Sequence, residues 1–284
     1  MNLIGGAAAG AGAGAALVPL AATRIRARLA PDVRARARHC EVVWSLASTN
    51  GALLARGATP AGIFDFLAAE YQSAGRGRRG RQWFAPPGGA LCLSVAWSFE
   101  TLPKDASALS LAVGVCALRA LARLARLPVQ LKWPNDLLVQ GRKLGGILIE
   151  LRAESAGPAH VVIGVGINCA LGAALTRRVR DAGTVPTDLA SHGIGTCDRN
   201  RLAAALINEI VRGVLEFERH GLAAFAAEWA AADALAGQVV RLDAPAGEFI
   251  GHARGIDADG ALCVQGKGAL RRFSCGEVTV RVQP

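Results

Sequence analysis

The chain has 284 residues, 52% hydrophobic and 19% charged, so it can bury a sizeable core, and disorder as its main state is excluded. Thirty-two basic against twenty-two acidic residues give a net charge of +10, and only four of the basic residues are lysines: Lys104, Lys132, Lys143 and Lys267. The charge is concentrated: the six arginines from Arg24 to Arg38 less Asp32 give +5, and Arg76, Arg78, Arg79 and Arg81 give +4. One arm and one short loop fit an anionic small ligand at least as well as a nucleic acid, whose partners spread their basic surface along a groove or helix.

In chain order, Met1–Ala22 is apolar, but it lacks a basic n-region and has too many glycines for a spanning helix. With the arginine run behind it, it is expected to form a flexible Ala/Gly/Arg-rich extension over 1–40. No helix-turn-helix pattern is visible there, and no membrane span anywhere. The seven cysteines never form a C-x-x-C pair, which argues for reduced thiols and against a disulfide framework or a structural metal. Strands are expected over Glu41–Leu46, Asp65–Gln72 and Leu91–Ser98, a short helix over Asn50–Arg56, and a buried helix over Asp105–Leu127 ended by Pro128. Val129–Trp133, Leu137–Val139, Leu144–Leu151 and His160–Ile167 are short β runs joined by short turns, the pattern of an antiparallel meander. Asp198 offers an N-cap to a helix with Leu206, Ile207, Ile210, Val214 and Phe217 on one face, and Gly221–Leu235 is a further helix. After Gly237 the β runs with Gly and Asp turns, ending in Glu277–Val282, predict a small closed barrel.

Five segments carry chemistry. In Gly75-Arg76-Gly77-Arg78-Arg79-Gly80-Arg81 the glycines let the backbone curl around an anion while the guanidiniums offer forked donors, and Trp83 follows at its exit. The loop is neither a Walker sequence nor a dinucleotide fingerprint. Lys132-Trp133-Pro134-Asn135-Asp136 sets a lysine at a strand end before an amide and a carboxylate, and Lys143-Leu144-Gly145-Gly146 sets another beside two small residues. Both positions ask for a compact point charge in a chain that prefers arginine. Gly164-Val165-Gly166-Ile167-Asn168 again permits close backbone approach, and Ser48-Thr49-Asn50 brings hydroxyl and amide groups to a strand-to-helix turn, where Ser48 or Thr49 also suits an N-cap.

Taken in order, Ser48-Thr49-Asn50, Gln72 leading into the arginine loop and Trp83, Lys132 to Asp136, Gly141 to Ile147, and Gly164 to Asn168 resemble the biotin protein ligases. The likeness runs from about Glu41 to the end, because Phe225, Trp229 and Gly237 suit the last catalytic helix and Gly276-Glu277-Val278 the C-terminal barrel. It implies an α+β fold: a mixed or antiparallel sheet with flanking helices of the biotin/lipoate ligase type over 41–236, and an SH3-like β-barrel over 237–284. It also implies an ATP-dependent, magnesium-dependent reaction in two steps, through biotinyl-5′-AMP to a biotinylated lysine of a biotin carboxyl carrier protein of acetyl-CoA carboxylase or another biotin-dependent carboxylase. Biotin would be held by Ser48, Thr49, Asn50, Gln72, Gly75, Arg76, Arg78, Lys143 and Gly146. ATP and the adenylate would meet Arg78, Arg79, Arg81, Trp83, Lys132, Asn135, Asp136 and Asn168. Lys143 and Arg78 would be catalytic, and Asp136 the magnesium ligand. The family form implied is the cytoplasmic one without an N-terminal DNA-binding domain, binding neither DNA nor membrane, with homodimerisation left open. Two alternatives stand beside it: a lipoate- or octanoate-transferring enzyme of the same fold, and a basic nucleic-acid-binding module.

Overall fold

The computed structural model describes residues 18–282 except 125–126, 154–157, 173–175, 177–184, 195–196, 245–246 and 275–278. The Ala/Gly run over 1–17 and the Gly276-Glu277-Val278 motif lie outside the described residues.

The larger sheet has seven strands in the order β1-β2-β3-β7-β6-β5-β4: β1 Ala37–Leu46, β2 Phe64–Gln72, β3 Ala90–Phe99, β4 Val129–Lys132, β5 Asp136–Val139, β6 Arg142–Ala153 and β7 Ala159–Asn168. β1 and β2 are parallel, and every other neighbouring pair is antiparallel. The expected meander is therefore β4 to β7. Successive residues of a strand point to opposite faces, so the pairs Phe66↔Val95 and Val95↔Ile163 line one face, and Ala96↔Val162 the other. The first face carries the main core against α4 (Leu109–Ala122) and α5 (Arg199–His220), and the second carries a smaller cluster with Leu53 and Leu54 of α3 (Thr49–Arg56).

Several boundaries differ from expectation. The Asp105–Leu127 helix divides into a 3-10 turn, Ala106–Ala108, and α4. The helix expected over Gly221–Leu235 is a 3-10 turn, Gly221–Phe225, followed by α6, Ala226–Ala232. Leu131 then accepts a hydrogen bond from Ala234 (2.9 Å), which covers the β4 edge.

The largest correction concerns the stretch before Glu41. Residues 18–40 are built into the fold: α1 (Ala22–Ala27) and α2 (Pro31–Arg34) precede β1, which begins at Ala37. Leu20, Ile25, Leu29 and Val33 are buried in the main core. On α5, Asn200 accepts from Ala21 N (2.8 Å) and donates to Pro19 O (3.0 Å), while Asn208 accepts from Ala30 N (2.9 Å). Arg212 pairs with Asp32 at 2.7 Å. Deeper still, Glu70 of β2 accepts from Leu20 N (2.7 Å) and pairs with Arg199, both side chains being almost fully buried. The apolar residues are too sparse among the arginines to announce a packed segment, and α5, which receives them, lies about 180 residues along the chain.

The C-terminal sheet has five antiparallel strands in the order β11-β10-β9-β8-β12: β8 Val239–Ala244, β9 Gly247–Ile256, β10 Leu262–Gln265, β11 Leu270–Phe273 and β12 Thr279–Val282. Its Asp257–Gly260 turn docks on the larger unit: Trp133 Nε1 donates to Gly260 O (3.0 Å), and a Cβ at Gly260 would meet Ala108 and Leu111.

Two stability tests follow from this packing. Ile25→Ala should cost about 2–5 kcal/mol in a urea titration, the range for truncating a buried isoleucine, whereas a flexible arm would make it silent. The second test concerns His160, which is buried, with Nδ1 3.3 Å from Ser98 Oγ. Burial, and secondarily the charge of Arg152, hold its imidazole below the ordinary 6.5. The folded state prefers the neutral ring, so this contribution is present above pH 6.5 and is lost as pH falls and the unfolded chain takes up the proton. Between pH 7.5 and 5.5, as read by urea midpoints, the parent should lose more stability than His160→Gln.

Candidate active site

One cavity of about 160 Å³ opens over the ends of β2, β6 and β7. Its floor is assembled from α3 outward. Ser48 caps that helix, accepting from Gly51 N (3.4 Å). Gln72 Oε1 accepts from both Thr49 N (2.8 Å) and Thr49 Oγ1 (3.0 Å). Ser94 Oγ, fully buried on β3, lies 2.7 Å from Thr49 Oγ1 and 2.6 Å from Asn50 Oδ1. Asn50 Nδ2 donates to Leu148 O (3.2 Å) and Glu150 Oε2 (2.9 Å). A Cβ at Gly164 would collide with the Asn50 amide, and one at Gly166 would stand 2.7 Å from Cζ2 of the Trp83 ring. These two glycines therefore let side chains from α3 and the arginine loop lie flat on β7.

The arginine loop closes one side. Trp83 N donates to Gly75 O (2.9 Å) and Gly77 N to Arg81 O (2.7 Å), with a 3-10 turn over Arg78–Gly80 and Arg79 in the left-handed region at φ 56°. Arg76, Arg78, Arg81 and Trp83 line the cavity, while Gly75 and Arg79 line an adjoining recess between the loop and Glu150. The Arg76 guanidinium pairs with Glu150 at 3.0 Å.

The opposite side is built on β5 and β6. Lys143 Nζ lies 2.5 Å from Asp136 Oδ1. Asn135 is braced on β6: its Nδ2 donates to Ile147 O (2.6 Å), and Ile147 N donates to its carbonyl (2.9 Å). Asn168 Nδ2 donates to Thr187 O (2.9 Å) and Lys143 O (3.3 Å). The backbone of Lys143 is held on both sides, its N–H donating to Val185 O (2.9 Å) and its carbonyl accepting from Thr187 N (2.8 Å). Lys132 sits behind this wall, paired across the β4–β5 hairpin with Asp136. Burial pushes its ammonium below the ordinary lysine value; Asp136 opposes that shift, and the positive charges of Lys143, Arg81 and Arg281 add to it.

Thirteen of the sixteen sequence-expected residues thus line one cavity: Ser48, Thr49, Asn50, Gln72, Arg76, Arg78, Arg81, Trp83, Asn135, Asp136, Lys143, Gly146 and Asn168. Gly75, Arg79 and Lys132 stand just outside it. Sequence reading missed Cys92, Leu93, Pro186 and Leu171 in the lining, and Ser94 and Glu150 beneath it. Alternation along β3 could have flagged Cys92 and Ser94 as sharing a face, but nothing local marks Pro186, which is 43 residues beyond Lys143 and joins it by a parallel bridge. Four cations and one carboxylate line the cavity, so it favours a ligand with several negative charges. A magnesium site made of protein groups alone is not supported: among the described residues no three ligating side chains cluster, and Asp136 is engaged by Lys143.

Comparison with known proteins gives the class first. Residues 65–168 match the biotin/lipoate A/B protein ligase family, and residues 236–281 match the biotin protein ligase C terminal domain. The chain is 41% identical over 236 residues to the bifunctional ligase/repressor BirA of Escherichia coli (strain K12), covering 82% of this chain and 71% of that one. It is 38% identical over 247 residues to the biotin (acetyl-CoA-carboxylase) ligase of Mycobacterium tuberculosis, covering 85% and 88%. Its fold matches the biotin protein ligase of Aquifex aeolicus solved with biotin and ATP, at a TM-score of 0.72, 23% identity, and coverage of 86% of this chain and 98% of that one. The chain belongs to the biotin protein ligase family and is a ligase.

The Gly164 contact can be tested without any ligand. Gly164→Ala should lower stability by about 1–3 kcal/mol, the cost of forcing extra volume into a packed site, measured as a shifted urea midpoint. An unchanged midpoint would mean that Asn50 does not lie against β7.

Proposed function

We propose that this ligase activates biotin with ATP and transfers it to a lysine of a biotin carboxyl carrier domain. The observation that carries the reading is the arrangement of one cavity with a neutral, hydrogen-bonding floor at Thr49, Gln72 and Ser94 and a cationic mouth at Arg76, Arg78, Arg81 and Lys143. Such a cavity suits a ligand with an uncharged polar ring at one end and a carboxylate meeting phosphates at the other. Identity of 38% across 88% of the M. tuberculosis ligase supports the same assignment.

In the first step a carboxylate oxygen of biotin attacks the α-phosphorus of ATP and pyrophosphate leaves, giving biotinyl-5′-AMP. In the second the carrier lysine's amine attacks the biotinyl carbonyl and AMP leaves. The protein supplies no nucleophile. Its work is to align two anions that repel each other and to neutralise charge as the P–O bond forms. Lys143, held in place through both its backbone groups and poised against Asp136, is the residue for that task, with Arg78 across the cavity. Ser48, Thr49, Asn50, Gln72 and Gly146 form the biotin end. Arg81 and Trp83 face the nucleotide, with Arg79 and Lys132 adding charge from just outside; Asn135 and Asn168 shape the wall, since their amide donors are used on backbone carbonyls. Magnesium enters on this reading as the substrate MgATP, bound by phosphate oxygens. The arginine loop, over the mouth, shields the mixed anhydride from water.

We further propose residues 41–236 as the catalytic domain, with residues 18–40 as part of its framework, and 237–284 as the C-terminal domain. The natural acceptor is the carrier domain of acetyl-CoA carboxylase or another biotin-dependent carboxylase, in the cytoplasm.

Incubation with biotin, ATP, magnesium and such a carrier domain should add one biotinyl mass to the carrier. An unmodified but competent carrier would refute the assignment. Lys143→Ala should slow pyrophosphate release by about a hundredfold to a thousandfold, as the loss of one preorganised charge at an acyl- or phosphoryl-transfer centre does, with the urea midpoint little changed.

A further inference from the structure

The sequence resemblance places Arg76 among the residues that would hold biotin. In the structure its guanidinium instead meets a protein carboxylate, that of Glu150 on β6, which stands 74 residues further along the chain. Glu150 is a hub. Its Oε1 lies 3.0 Å and its Oε2 3.1 Å from Arg76 Nη2, and the same Oε2 accepts from Asn50 Nδ2 at 2.9 Å. From Asn50 the contacts run on through Ser94 Oγ (2.6 Å) to Thr49 Oγ1 (2.7 Å) and to Gln72 Oε1 (3.0 Å). An unbroken series of polar contacts therefore joins the first arginine of the loop to the floor of the biotin end.

Three features suit Glu150 to this role. Ladder pairing of β5 with β6 ends at Gly146, four residues before Glu150, so β5 does not cover the strand at the hub. The Arg76 side chain is 46% exposed and that of Glu150 25%, while Asn50 is buried, so the hub spans from a movable surface pair to a fixed interior amide. Arg76 Nη2 also lies 3.4 Å from where a Cβ at Gly51 would stand, so the guanidinium reaches over the first turn of α3. A half-exposed ion pair is weak enough to open and re-form. The buried end, by contrast, has no solvent to replace a lost partner, which makes Asn50 sensitive to what Glu150 does.

We propose that Glu150 is a positioning residue that latches the arginine loop through Arg76 and, with the same carboxylate, fixes Asn50, so that loop closure and the shape of the biotin end are set together. The proposal rests on the ligase reading only for the identity of the occupant; the latch itself is a property of the empty protein.

The test uses the full chain and limited trypsin digestion, since the loop carries Arg78, Arg79 and Arg81 as cleavage points. In the ligand-free protein Glu150→Gln should speed loop cleavage by about fivefold, the population change that a pair of this kind supports at its upper end, with the urea midpoint unchanged. In an Arg76→Gln background the same substitution should add nothing, because the partner is already gone. Glu150→Asp, which keeps the charge, should recover part of the protection. In the biotinylation assay Glu150→Gln should raise KM for biotin more than it lowers kcat. Unchanged cleavage would overturn the latch, and so would faster cleavage matched by an equal loss of global stability, or an additive effect in the Arg76→Gln background. Failure of the chain to biotinylate a carrier would leave the digestion result intact and count against the functional reading alone.

Discussion

The cleft depends on the register of β7 between β3 and β6. Ser94, Gly164 and Leu148 stand opposite one another across the three strands, and Cys92, Gly166 and Gly146 form the next row on the same face. Side chains alternate with period two, so a slip of one residue would turn Gly164 and Gly166 away from α3 and the arginine loop and present Val165 in their place. Asn50 and Trp83 would then have nowhere to lie. Ten paired positions with β3 and nine with β6 hold that register, and both strands place apolar residues against α4 and α5 on the reverse face. The core thus fixes the site by fixing which residues face away from it.

Charge at the mouth is balanced locally. Arg76 has Glu150 and Lys143 has Asp136, so cations on both sides of the cavity face a carboxylate. Unbalanced, clustered guanidiniums and ammoniums would repel one another and open the loop. Fully neutralised, they would offer nothing to an anion. Lysine at 143 rather than arginine fits the same economy: a single ammonium can approach one carboxylate oxygen at 2.5 Å and still be redirected, whereas a planar guanidinium would lock into a two-point pair.

Much of the remaining positive charge has a structural use. Arg38 pairs with Asp65 at 2.6 Å, Arg28 with Asp198 at 3.4 Å, and Arg36 donates to Gly62 O at 3.0 Å. The segment before β1 is therefore a strap across α5 and the end of β2. Its backbone groups satisfy Asn200, Asn208 and Glu70, which would otherwise be polar groups facing a gap in the core. Glu70 of the buried Glu70–Arg199 pair lies two residues before Gln72, so the strap and the cavity floor share a strand.

Local sequence determined the elements and most of the chemistry. The alternation of β3 and β7, the helical spacing on α5, the Ser48 and Asp198 caps, and the glycine-bounded arginine loop are all consequences of residues within a few positions of one another. The same holds for Lys132, Asp136 and Lys143, which one tight β4–β5–β6 turn system gathers. What tertiary structure alone decided was who answers whom across distance: Glu150 for Arg76, Val185 and Thr187 for Lys143, Ser94 for Asn50, and α5 for the arginine-rich strap. Those pairings follow from strand register and sheet order, which are collective outcomes of burying two faces at once and leave no mark in any short stretch of the chain.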